Sequence, residues 1–261
     1  MATKNAYDDG QFSWVDLMAH DMKAAEQFYG AVFGWSCEHQ DTQGGPPYGM
    51  FGLEGSPVGG IGEMNEAMKQ QGVPPMWNSY INVGDIEATV KKAQKLGAEL
   101  TVPVMKVLDA GWLAFLKDPT GGHVGLWQPG THCGAVTVNE PGSLCWNELA
   151  TRDIEKAREF FGALFGWKFA EHDAPTAYYI IQSGDRPNGG LMQMDEQWGD
   201  APPHWMVYFA VADTDRTAAS IERHGGKICV PGFDTPVGRV AVVGDPQGAT
   251  FSLIQLAQPP A

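Results

Sequence analysis

Two acids stand beside two tryptophans at matching places in this chain. In Phe12-Ser-Trp-Val-Asp-Leu-Met-Ala19 the side chains alternate well enough for a strand, with Trp14, Asp16 and Met18 on one face. Trp146 and Glu148 repeat that spacing in the second half. A carboxylate held against an indole and away from water has a raised pKa and suits a general acid or base; if charged, it suits a cationic ligand. Equally, both acids could face an interface or solvent, or be satisfied by backbone donors.

Other residue types offer less. Trp77 and Trp205 each follow a Pro-Pro pair with one residue between, and fit a pocket wall or a packed core. Tyr48 and Tyr178 (or Tyr179) fall on equivalent strands and could offer hydroxyls to a ligand. His204 has Met76 at its counterpart, and no histidines fall in a His-x-x-x-His spacing. Cys37, Cys133, Cys145 and Cys229 form no Cys-x-x-Cys pair and read as reduced thiols. Gly59-Gly60 and Gly189-Gly190 lack a phosphate-loop context and suit strand bends. No Ser/His/Asp arrangement can be assembled.

These residues hang on a repeated frame. Phe28-Tyr-Gly-Ala-Val-Phe-Gly-Trp35 recurs as Phe160-Phe-Gly-Ala-Leu-Phe-Gly-Trp167, differing only at Tyr29/Phe161 and Val32/Leu164. Each copy ends an amphipathic helix that an aspartate (Asp21 or Asp153) caps and a glycine stops, and then starts a strand. Around the first copy the pattern reads strand, helix and three strands, the last two at 48–53 and 58–64. The order returns with strand 77–83, a helix capped by Asp85, and strands 98–104, 112–116 and 124–128. From Leu144 the whole series repeats. The expected organisation is residues 8–129, a Gly/Pro-rich linker 130–143, and residues 144–257.

Composition narrows the partners. A formal charge of −14 over 261 residues opposes binding to nucleic acid, while it could attract a cation or simply keep the protein in solution. No apolar run approaches the roughly 18 residues of a membrane helix. The first residues carry no apolar signal core, so the cytoplasm is the expected location.

Four β-α-β-β-β units, the Asp21-to-Trp35 stretch and Asp118-Pro-Thr-Gly121 before a last strand, with their second-half counterparts, resemble the vicinal-oxygen-chelate superfamily. That group holds glyoxalase I, extradiol dioxygenases, methylmalonyl-CoA epimerase, fosfomycin-resistance enzymes and bleomycin-resistance proteins. The resemblance covers nearly the whole chain and is nearest to the tandem two-domain glyoxalase-like proteins. It implies an α+β fold of two glyoxalase-like domains related by pseudo-two-fold symmetry, with sheets curled around cavities. It also implies positions for a divalent metal held by His and Glu. Here those positions fall at Trp14, Asn78 and Gly125, and at Trp146, Met206 and Ser252, with only Glu63 (matched by Gln193) able to ligate. The expectation is therefore no family-type metal and no cofactor. The protein would bind a small aromatic or cationic molecule in interdomain cavities through Trp14, Tyr48, Glu63, Trp77, Asn78, Trp146, Tyr178, His204 and Trp205. The alternative is a metal-independent lyase, isomerase or hydroxylase-like enzyme on a small oxygenated metabolite, with Asp16 and Glu148 moving protons.

Overall fold

Four aspartates start the four long helices. Asp21, Asp85, Asp153 and Asp213 each accept the amide of the residue three positions on, at 2.9 to 3.1 Å. The helices that follow are α1 (Met22–Phe33), α3 (Ile86–Lys95), α4 (Ile154–Phe165) and α5 (Thr214–Arg223). Gly34 and Gly166 close α1 and α4 with φ of 74° and 72°, a left-handed turn that costs glycine least. The computed structural model describes residues 3–174 and 176–257. Within them, α2 (Glu66–Gln70), capped by Asn65, and a 3-10 turn at Glu196–Trp198 occupy the connectors between the two units of each half.

Each half forms one eight-stranded sheet. The first runs in the order β2-β3-β4-β1-β5-β8-β7-β6. Its strands are β1 (Phe12–Ala19), β2 (Ser36–His39), β3 (Tyr48–Leu53), β4 (Ser56–Glu63), β5 (Met76–Asn82), β6 (Glu99–Val107), β7 (Gly111–Lys117) and β8 (His123–Pro129). The second sheet repeats that order as β10-β11-β12-β9-β13-β16-β15-β14. It comprises β9 (Leu144–Thr151), β10 (Lys168–His172), β11 (Tyr178–Ser183), β12 (Arg186–Gln193), β13 (His204–Ala210), β14 (Lys227–Thr235), β15 (Gly238–Gly244) and β16 (Thr250–Leu256). The fold is α+β, with four β-α-β-β-β units in two tandem glyoxalase-like domains. β6 runs three residues beyond the expected Val104 because its register shifts between Val102 and Met105, and that bulge accommodates Pro103.

The two units of a half meet edge to edge, through antiparallel pairing of β1 with β5 and of β9 with β13. Their helices pack across to the other half. One core joins Phe28, Tyr29 and Trp35 of the first unit, with Trp77 at the start of the second, to Phe209, Ile221 and Phe251 of the fourth. The other joins Ile81, Val90 and Leu126 of the second unit to Phe160, Phe161 and Trp167 of the third, with Trp205 at the start of the fourth. Burying each such side chain contributes about 1.5 to 3 kcal/mol, so this crossed packing holds the halves together. Polar contacts follow the same crossing: Trp35 Nε1 donates to Gly142 O at 2.7 Å, and Trp167 Nε1 donates to Gly10 O at 2.8 Å. With the helix faces so occupied, the opposite face of each sheet is left for a site.

Candidate functional site

Strand register brings the first acid to the middle of its sheet. Asp16 lies between Gly60 on β4 and Asn78 on β5. Its side chain is 5% exposed, and three side chains donate to it. Asn78 Nδ2 reaches Oδ1 at 2.9 Å, while Tyr80 and Tyr48 hydroxyls reach Oδ2 at 2.9 and 3.4 Å. Trp14 Nε1 in turn donates to the Tyr48 hydroxyl at 3.0 Å. Space for the rings comes from glycine. A Cβ at Gly60 would overlap the Tyr48 hydroxyl, and one at Gly125 would overlap the Tyr80 ring.

The second half builds the same arrangement around Glu148, which is 6% exposed and lies between Gly190 and Met206. The Tyr208 hydroxyl donates to Glu148 Oε1 at 2.8 Å, and the Tyr178 hydroxyl stands near the carboxyl. Trp146 Nε1 donates to the Tyr178 hydroxyl at 3.1 Å, and Gly190 leaves room for that hydroxyl. Met206 replaces Asn78 and gives Glu148 no amide donor. Burial raises the pKa of both acids and outweighs the donors that favour the charged forms. Two carboxyls held toward the neutral form inside an aromatic lining are the chemical content of these faces.

The two faces differ in their cover. In the first half, His132, Ala135 and Val138 from the segment between the sheets pack over Trp14, Tyr80 and Trp127. His132 sets its ring edge-on to Trp14 at 4.5 Å, and burial lowers its pKa to about 4, so the ring is neutral. Main-chain bonds from Ala135 to Ser13 and from Val136 to Pro57, both 2.8 Å, fix the segment in place. Gly134, at φ 120°, allows that approach, since a Cβ there would strike the Ser13 carbonyl. Trp14 is consequently 3% exposed and Tyr80 5%. Trp146, Tyr178 and Tyr208 are all partly exposed. Among the described residues, the second face is the open one.

The structure thus brings together Trp14, Asp16, Tyr48 and Asn78, and separately Trp146, Glu148 and Tyr178. His204 lies on the open face two residues before Met206, where its Nδ1 sits 2.9 Å from Pro202 O. Trp77 and Trp205 pair with Leu17 and Leu149, on the opposite face, and are core residues at 6% and 7% exposure. Strand alternation also turns Glu63 away from Asp16; it pairs with Ala19 and bonds Lys69 at 3.0 Å. Each acid's partners all come from one sheet, so the groups lie within the halves, whereas cavities between the domains were expected. Sequence reading missed Tyr80 and Tyr208, the nearest hydroxyl donors to the two acids. Their signal was available, since each follows Asn78 or Met206 by two residues on the same strand.

The donor set does not fit the divalent metal that the fold family implies. At the expected positions stand Trp14, Asn78 and Gly125, or Trp146, Met206 and Ser252, and the nearby carboxyl is engaged by tyrosines. Among the described residues, the grouping of three His, Cys, Asp or Glu ligands that does occur lies elsewhere, at Glu26, Cys37 and His39.

Comparison with known proteins places this architecture. The model of the Glyoxalase/Bleomycin resistance protein/Dioxygenase superfamily matches residues 11–124 and 143–253. The Putative glyoxylase CFP32 of Mycobacterium tuberculosis (strain CDC 1551 / Oshkosh) is 40% identical over 98% of this chain and 99% of its own. The Anthracycline biosynthesis protein DnrV of Streptomyces peucetius is 32% identical, over 95% of this chain and 94% of its own. Among solved structures, the Mn(II)-bound glyoxalase from Novosphingobium aromaticivorans superposes with a TM-score of 0.66 at 13% identity, covering 97% of this chain and 86% of that one. The 2,3-dioxygenase LapB from Pseudomonas sp. KL28 gives 0.66 at 15%, covering 97% and 95%. The similarity in fold extends through both sheets, and the chain belongs to the glyoxalase/bleomycin resistance protein/dioxygenase superfamily.

Proposed function

We propose that this protein binds a small, neutral, oxygen-bearing aromatic molecule on the open face of its second half, without a metal. The observation that carries the reading is the buried Glu148 carboxyl, held by the Tyr208 hydroxyl beside Tyr178 and a partly exposed Trp146. A carboxyl kept neutral by burial can donate a hydrogen bond to a ligand oxygen, and the indole offers a flat surface to a ring. Burial that disfavours the charged carboxyl favours a phenol or quinone over a cation, which a charged carboxylate would have served better. Two relatives named for anthracycline biosynthesis agree with an aromatic ligand bearing oxygens.

Tryptophan fluorescence tests this directly. Alizarin and catechol should quench the wild-type protein saturably, and Trp146→Phe should remove most of the response. A linear, unsaturable response shared by both proteins would refute the assignment.

A second reading, proton transfer in a lyase or isomerase, draws on the same raised pKa, because a carboxyl whose charged form burial disfavours is better suited to act as a general acid. Under that reading Glu148→Gln removes turnover while leaving ligand affinity largely intact. Unchanged turnover in that variant would take Glu148 out of any mechanism.

A further inference from the structure

The outer edge of the first sheet carries a group of side chains unconnected with the buried acids. Cys37 and His39, two residues apart on β2, share one strand face, and α1 lies beside them with Glu26 in its second turn. One ligand atom from each of Glu26, Cys37 and His39 lies within 4.8 Å of the other two, with His39 Nε2 at 3.0 Å from Glu26 Oε1. A surface cleft of about 320 Å³ opens onto the group and is lined by Met22, Lys23, Glu26, His39, Pro47 and Glu63.

The duplicated half shows that the fold does not require this arrangement. There, Arg158 stands at the position of Glu26, Phe169 at that of Cys37, and Glu171 at that of His39. Arg158 stacks on the Tyr179 ring at 4.0 Å and pairs with Glu155 at 2.8 Å, which fills the surface. Tyr179 pairs with Glu171, and the residue paired with His39 is Gly49. A Cβ at Gly49 would lie 2.5 Å from Cys37 Sγ. The first half therefore exchanges a packed aromatic and guanidinium stack for three ligating groups beside an opening.

We propose that Glu26, Cys37 and His39 form a binding site for a divalent ion of the zinc class, with the cleft side left for water or a small exogenous ligand. Thiolate, imidazole and carboxylate are the three ligand types that such an ion accepts. Ligand atoms within 4.8 Å of one another need to close by about 1 Å to reach bond lengths of roughly 2.0 to 2.3 Å around one centre. The exposed His39 side chain, at 62%, can make that adjustment. Binding uses the charge difference between the halves, since the corresponding Arg158 would repel a cation.

The test is a titration of chelator-treated full-length protein with Cd2+, followed by competition with Zn2+. A thiolate-to-metal charge-transfer band should grow to a stoichiometric end point. It should vanish in Cys37→Ser and persist in Cys229→Ser, the variant that removes the exposed thiol. Glu26→Gln and His39→Ala should each weaken Cd2+ at least tenfold. Absence of the band in wild-type protein overturns the site, and so does its survival in Cys37→Ser; either would leave an ion pair beside a thiol.

Discussion

The Tyr208 hydroxyl donates to Glu148 across 2.8 Å, as Tyr80 donates to Asp16 across 2.9 Å in the other half. The acid differs in length between the halves and the tyrosine does not, so the pair survives duplication while its surroundings diverge. Tyr208→Phe removes the hydroxyl that donates to Glu148 and leaves that buried carboxyl without it. The expected cost is about 1 to 3 kcal/mol in stability, read by urea denaturation. The same substitution should weaken alizarin binding about tenfold, and a variant unchanged in both respects would remove Tyr208 from the site.

Glu148 also makes stability depend on pH. Its pKa in the folded protein lies above the ordinary value of 4.5, because burial disfavours the charged form. Its stabilising contribution is therefore complete below that ordinary value and is lost as pH rises through the folded pKa. Glu148→Gln cannot ionise, so its stability relative to wild type should improve as pH increases from about 4.5 toward neutrality. Parallel stability curves for the two proteins across that range would contradict the raised pKa.

Much of the frame was legible because it rests on local chemistry. Capping aspartates, stop glycines and the Phe-x-Gly-Ala-x-Phe-Gly-Trp repeat each fix a helix end, and the chain states them twice. Alternation correctly put Trp14 with Asp16 and Trp146 with Glu148. It did not reveal that helix-side packing crosses from the first unit to the fourth, because apolar periodicity shows a buried face but not its partner. For the same reason periodicity leaves Trp77 and Trp205 open between a pocket wall and a packed core, and they belong to the cores. The covering of the first face by His132 depends on a loop path that no periodicity encodes.

The divergence at Tyr29/Phe161 gives a separate stability test. The Tyr29 hydroxyl donates to Asp245 at 3.1 Å and accepts from Trp77 Nε1 at 3.0 Å, all within the first core. At the counterpart positions, with Phe161 in place of tyrosine, Trp205 Nε1 and Asp118 Oδ2 are buried and unpartnered among the described residues. Phe161→Tyr should supply both partners and stabilise the protein by about 1 kcal/mol. Tyr29→Phe should cost about 1 to 3 kcal/mol. Thermal unfolding of the two variants checks both signs, and a destabilised Phe161→Tyr would show that the second core has no room for the hydroxyl.

His132 accounts for the difference in cover between the faces. His132→Ala removes the ring that packs edge-on against Trp14, and acrylamide should then quench an additional fraction of the tryptophan emission. Unchanged quenching would mean that the remaining linker residues suffice to seal the first face.

Calorimetric titration with alizarin of wild type, Glu148→Gln and Asp16→Asn compares the two acids in one experiment. The account predicts saturable binding that falls at least tenfold in Glu148→Gln and stays within about twofold of wild type in Asp16→Asn. Binding lost in Asp16→Asn and retained in Glu148→Gln, or no heat of binding in wild type, would contradict a ligand site on the open face of the second half.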